Sequence, residues 1–209
     1  MYKRQGYPGV SALDITDNVV PFISGEEDKM EMEPQKILGT IGTLASSKEQ
    51  DGVAPAASTS AAAPSPTSKV PPASVGFIPA SFAVSAQCNR VATLDGHMEC
   101  VSVKLSRPAS LDQVEAALRG WQSEAQTMKL PSAPRQPIVL LPAEQPRPQP
   151  RLDRDREGGF VVTVGRVRTC PILDFKFVLC SHNTVLGAAG GSILNAELAV
   201  AYGYLQPLQ

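Results

Sequence analysis

Proline decides where this chain can hold regular structure. It has no amide hydrogen and a fixed φ, so it interrupts helices and central strands. The chain carries 19 prolines among 209 residues, and their placement matters more than their number. Between residues 44 and 80 they fall in a tract dominated by Ala, Ser and Thr and nearly free of aromatics. Such a composition cannot bury enough apolar area to offset its ordering entropy. Residues 46–74 are therefore expected to form a disordered insertion, read first as a solvated linker. Residues 142–151, PAEQPRPQPR, hold four prolines and are expected to run as extended, polyproline-like chain. Pro21 breaks the apolar run 19–23, which predicts extended or turn structure over 6–25.

Between these interruptions the periodicities are readable. In EEDKMEMEPQKIL (26–38) acidic residues crowd the start, Lys36 lies near the end and Gly39 offers a C-cap. That pattern predicts a helix with a kink or restart at Pro34. Glu33 and Lys36 are three apart on one face of it and read as a solvated ion pair. Phe82 to Arg90 reads as a strand, and Val101, Val103 and Leu105 alternate as a half-buried one. Asp95-Gly96 between them signals a hairpin, with a wider loop as the alternative. This stretch holds Arg90 and His97, one of only two histidines. Pro108 stops the second strand. Ser110 and Gln113 then form a capping box ahead of Leu111, Val114, Leu118 and Trp121 at helical spacing. A short strand is expected at 138–141, long strands at 160–168 and 172–180, and a packed helix after Ser181-His182-Asn183. Gly187, Gly190 and Gly191 would weaken a surface helix, so they mark close approach to another backbone or to a ligand. The resulting fold class is α+β: a mixed, largely antiparallel sheet with helices on one face.

Several function classes are excluded. A net charge of −1 and a pI of about 6.1 leave no electrostatic footprint for nucleic acid. No apolar run approaches the roughly 18 residues a membrane span needs. MYKRQGYPGV has no apolar core and is not a secretory signal. Four cysteines without CxxC spacing and two histidines give no zinc site, so reduced thiols and a cytoplasmic location are expected. No G-x-G-x-x-G follows a strand.

Three separated segments are recognisable together: NVVPFISGEEDKMEMEPQKILG, SAQCNRVATLDGHMECVSVKL and SHNTVLGAAGGSILNAEL. They resemble aspartate-semialdehyde dehydrogenase of the archaeal and fungal type, and RPQPRLDRD resembles a further stretch of that branch. The likeness runs from about Gly6 to the C-terminus, apart from the insertion. N-acetyl-glutamyl-phosphate reductase, a sister family, is the nearest competitor. The resemblance implies one catalytic and dimerisation domain over 6–209, like the C-terminal domain of glyceraldehyde-phosphate-dehydrogenase-like enzymes. It implies NADPH-dependent reduction of aspartyl phosphate to aspartate semialdehyde and phosphate, in a homodimer or tetramer.

The implied roles are these. His97 is the acid/base, since imidazole suits proton transfer near neutral pH; a surface turn histidine is the plainer reading. Arg90 holds the substrate carboxylate as a planar clamp, at a separation of 97 − 90 = 7 that agrees with the family; a strand-end salt bridge is its alternative. Glu33 accepts from the substrate amine and Lys36 helps hold phosphate. Asn183 lies near the nicotinamide, or else is a helix N-cap. Gly187 and Gly190 sit where the last helix would approach the cofactor. The family's nucleophile, in a Ser-Asn-Cys-Ser-Thr type motif, matches none of Cys88, Cys100, Cys170 and Cys180, and its N-terminal dinucleotide domain is absent from this sequence. The chain alone is expected to be inactive. The other reading is a catalytically dead interaction module that pairs with full-length subunits.

Overall fold

The computed structural model describes residues 15–43 and 75–205. The expected insertion at 46–74 and the lead-in at 6–14 lie outside the described residues. These fall into two compact units, one within Leu13–Ala92 and the other within Thr93–Gln209.

The first unit is built on helix α1 (Glu26–Ile37). Glu26, Glu27 and Asp28 occupy its first turn and Lys36 its last, charges placed favourably for the helix dipole. The helix runs through Pro34 rather than restarting there. Two short strands follow, β1 (Thr40–Thr43) and β2 (Val75–Ile78), paired antiparallel with Thr43 opposite Val75.

The strand expected over 82–90 does not form, and neither does a hairpin across Asp95-Gly96. Backbone amides there must be satisfied somewhere, and α1 does it. Glu31 accepts from the Ala86 amide and Glu27 from the Cys88 amide, each at 2.9 Å. The Gln35 carboxamide donates to the Phe82 carbonyl at 2.8 Å. Only Arg90 makes a ladder contact, an isolated antiparallel bridge to Val20.

The second unit is a four-stranded sheet in the order β3-β6-β5-β4. Its strands are β3 (His97–Val103), β4 (Ile138–Leu140), β5 (Val162–Thr169) and β6 (Phe175–Ser181). All neighbours are antiparallel except β4 and β5, which are parallel. The mixed α+β layer expected from the sequence is present. Val161, Val164, Val167, Phe175 and Cys180 form its buried core.

Helix α2 (Leu111–Gly120) starts at the predicted capping box, with the Ser110 hydroxyl and Gln113 side chain reciprocally bonded. A second box at Ser123 opens the one-turn α3 (Glu124–Thr127). Between α2 and the sheet lies an apolar groove of about 1060 Å³, lined by Val114, Leu118, Trp121, Ile138, Phe160 and Leu194 among others. Pro150 and Arg151, expected in extended chain, instead begin the short helix α4 (Pro150–Asp153). Proline is tolerated at a first helical position because the amide it lacks would have no intrahelical partner. After β6 comes a wide turn (Val185–Ala189) and then α5 (Gly190–Ala201).

Candidate active site

The second unit gathers His97, Asn183 and Gly187 at one end of its sheet. His97 is the first residue of β3 and lies opposite Ser181, the last of β6. Asn183 follows two residues later. Its carboxamide oxygen accepts from the Gly96 amide at 2.6 Å, across 87 residues of sequence. Asn183 is therefore not the N-cap that the sequence also allowed: it fastens the turn that delivers His97. Gly96 has φ 100, a left-handed conformation that glycine adopts without penalty. A Cβ there would meet Pro150 Cβ at 3.2 Å, so the turn is seated against α4. From α4's C-terminal end, Arg154 Nη1 donates to the Asp95 carbonyl at 3.1 Å. His97 itself is exposed.

The glycines of the closing segment differ. Gly187 is exposed, and the nearest atom to a Cβ there is the His182 carbonyl oxygen at 3.8 Å. A flat molecule could approach that backbone. Gly190 is buried, and its Cβ would stand 2.8 Å from Phe160 Cε1 and from Val185 Cγ1. Its small size serves internal packing.

In the first unit Arg90 is buried, at 8% exposure, and its backbone is tied to Val20 by hydrogen bonds of 2.8 and 3.1 Å. Glu33 and Lys36 lie on α1 and are exposed. The ion pair expected between them does not form among the described residues; α1's pair is Lys29 with Glu26, at 3.6 Å. Both side chains are left open to solvent.

The thiols of the second unit are poorly placed to act with His97. Cys180 is buried, and burial together with the nearby Asp153 charge pushes its thiol up. Cys100 projects from the face of β3 opposite to His97's, three residues along. Amides of Leu173 and Ile172, then Lys176 and the Ser102 hydroxyl, pull Cys170 down. It lies beyond the far end of β6, which pairs Phe175 with Thr169. Six residue steps separate that end from Ser181, a span of about 20 Å.

One cluster had no sequence signal beyond the alternating charges of LDRDRE. The Asp153 carboxylate has no exposed side-chain surface. It accepts from Arg147 Nε at 3.1 Å and Nη2 at 2.5 Å, from Arg156 Nε at 2.9 Å and from the Gln149 amide at 2.7 Å. Burial alone would raise its pKa. The Arg147, Gln149 and Arg156 bonds outweigh burial and hold it below the ordinary value. Next to it, Asp155 joins Arg154 Nε and His182 Nε2, each at 3.4 Å.

A mixed four-stranded sheet with helices packed against it defines an α+β domain. The family model described as "Semialdehyde dehydrogenase, dimerisation domain" matches residues 73–186. The chain belongs to this semialdehyde dehydrogenase family. Aspartate-semialdehyde dehydrogenase of Schizosaccharomyces pombe is 46% identical over 202 residues, covering 96% of this chain and 48% of the relative. The enzyme of that name from Archaeoglobus fulgidus is 40% identical over 195 residues, covering 93% and 46%. A crystal structure of the Candida albicans enzyme with NADP superposes with a TM-score of 0.72 at 43% identity, covering 95% of this chain and 48% of that one. The chain thus spans about half the length of the relatives it matches.

Proposed function

We propose that this chain supplies the substrate clamp and the proton-transfer group of an NADP-dependent aspartate-semialdehyde dehydrogenase. The observation that supports this reading is the fastening of the His97 turn to Asn183, four residues before the open backbone at Gly187. On this reading Arg90 takes the substrate carboxylate through a bidentate pair, Glu33 accepts from its amine and Lys36 holds phosphate. His97 removes and returns the protons that the acyl-transfer and reduction steps demand. Bound NADPH supplies hydride. Gly187 and the Asn183 amide fit its nicotinamide end, while Gly190 serves by seating the helix on Phe160. The nucleophilic thiol comes from none of this chain's four cysteines. The assembly is a homodimer or tetramer. Among the described residues no helix is long and apolar enough to cross a membrane, and the cytoplasm is the proposed location.

The test joins this chain to the remaining half of the fission-yeast relative. Phosphate-dependent NADP reduction with aspartate semialdehyde should appear in the fusion and not in the 209-residue chain. His97→Asn in the fusion should lower kcat by about 10²- to 10⁴-fold. Clear turnover by the chain alone, or a His97→Asn fusion as active as its parent, overturns the proposal. A second reading, an inactive module that pairs with complete subunits, is favoured by the open groove beside α2. It predicts co-purification with a full-length subunit and an inactive fusion.

A further inference from the structure

The polar groups around the His97 turn close into a ring. His182 Nδ1 accepts from the Thr184 amide at 3.3 Å, which places the ring proton on Nε2, toward Asp155 at 3.4 Å. Asp155 holds Arg154 Nε at 3.4 Å. Arg154 Nη1 donates to the Asp95 carbonyl, and the next amide, that of Gly96, donates to Asn183. Asn183 is bonded covalently to His182, and the circuit is complete. Its anchor is α4, whose last residue is the buried Asp153 and against whose first residue Gly96 rests.

We propose that Arg154 is a positioning residue for His97: with Asn183 it clamps the Asp95-Gly96 turn from both sides and so fixes where β3 begins. The catalytic part of this inference rests on the reading of His97 as acid/base; the clamp itself does not. Three features support a positioning role over a merely solvated arginine. The Arg154 side chain is only 20% exposed. Its guanidinium faces a carboxylate in an ion pair through Nε and donates a hydrogen bond to a main-chain carbonyl through Nη1, using the fork that lysine lacks. The carbonyl it holds belongs to the peptide that ends at the Gly96 amide, so both polar groups of that peptide unit are hydrogen-bonded. On the proposed reading Arg154 acts on His97 through the turn.

The test has two arms. In the ¹⁵N-labelled 209-residue chain, Arg154→Met should speed Gly96 amide exchange about 10-fold, roughly the worth of one hydrogen bond. It should also move the His97 imidazole resonances, which are readily assigned with only two histidines in the chain. Val164 and Val167 amides in the core should keep their rates, and Arg154→Lys should recover part of the protection. Unchanged Gly96 exchange and His97 resonances overturn the inference. If Arg154→Met lowers protection throughout, Asp155→Asn decides. Asp155 is 71% exposed, so that change spares the core, and it should speed Gly96 exchange about 2- to 3-fold; no change there overturns the clamp.

In the active fusion, Arg154→Met should lower kcat about 10- to 100-fold while KM stays within about 2-fold. An unaltered kcat overturns the positioning role. A fusion with no activity at all counts against the proposed function, and the exchange arm still tests the clamp.

Discussion

Asp153→Asn is the substitution from which the second unit has most to lose. The change keeps shape and volume but removes the charge and turns one acceptor oxygen into a donor. Four donors now converge on that carboxylate. With an amide in its place, at least one of them faces another donor in a site without solvent. Removing one partner of a buried ion pair costs about 3–5 kcal/mol. Arg147 and Arg156 are 27% and 34% exposed, so both can recover some hydration, and about 2–4 kcal/mol is the expected loss. For a chain of this size that lowers Tm by roughly 10 °C. The pH dependence follows from the depressed carboxyl. Its folded pKa lies below the ordinary 3.8, so its contribution is present above 3.8 and is lost as pH falls through the folded value. The gap between parent and variant should be full at pH 7 and close as the pH drops below 4. Urea unfolding of both proteins across that range measures it. A loss under about 0.5 kcal/mol, or a gap that does not narrow in acid, refutes the assignment of Asp153 as a buried charged hub.

Three further outcomes are expected. Gly190→Ala should destabilise by about 1–3 kcal/mol in thermal unfolding, because the new methyl overlaps Phe160 and Val185; Phe160→Leu in the same chain should recover part of it. In an iodoacetamide pulse read by peptide mapping, Cys170 should label well before Cys180, and at a pH below that of an ordinary thiol, since its thiolate is favoured by the Leu173 and Ile172 amides. Arg90→Leu in the active fusion should raise KM for aspartate semialdehyde about 100-fold, the worth of two charge-assisted bonds, with a smaller effect on kcat.

The elements that were legible in the sequence are those whose signals are local. The capping box of Ser110 and Gln113 is written within four residues, and α2 begins where it predicts. The alternation in FVVTVGRVR and ILDFKFVLC marks β5 and β6, because a half-buried strand repeats every two residues. Residues 82–90 carry a similar alternation and are not a strand. Their amides are taken by Glu27 and Glu31 at separations of 61 and 55 residues, and nothing nearby announces that. Strand β2 was concealed in the same way, its four residues bordering a tract of low complexity.

At the candidate site the residue types carried the resemblance, but their connections were hidden. For Asn183 a cap was the alternative because a helix follows it, yet its acceptor bond goes to the Gly96 amide. Asp153 sits in the alternating charges of LDRDRE, and it is buried where Arg147 and Arg156 converge on it. Charge alternation records composition, whereas burial depends on the path of the strap that brings Arg147 back.

The pairing of Thr43 with Val75 bears on how much change this chain can absorb between them. The 31 residues between them (44–74) depart from and return to one rung of a ladder. Closing a longer segment costs only about 0.6 kcal/mol for each doubling of its length, and the register of β1 on β2 is the same whatever that length is. Sequence here can therefore grow, shrink or drift in composition while α1 and Arg90 keep their relation to each other. An inserted epitope or fluorescent reporter is expected to be tolerated at this place.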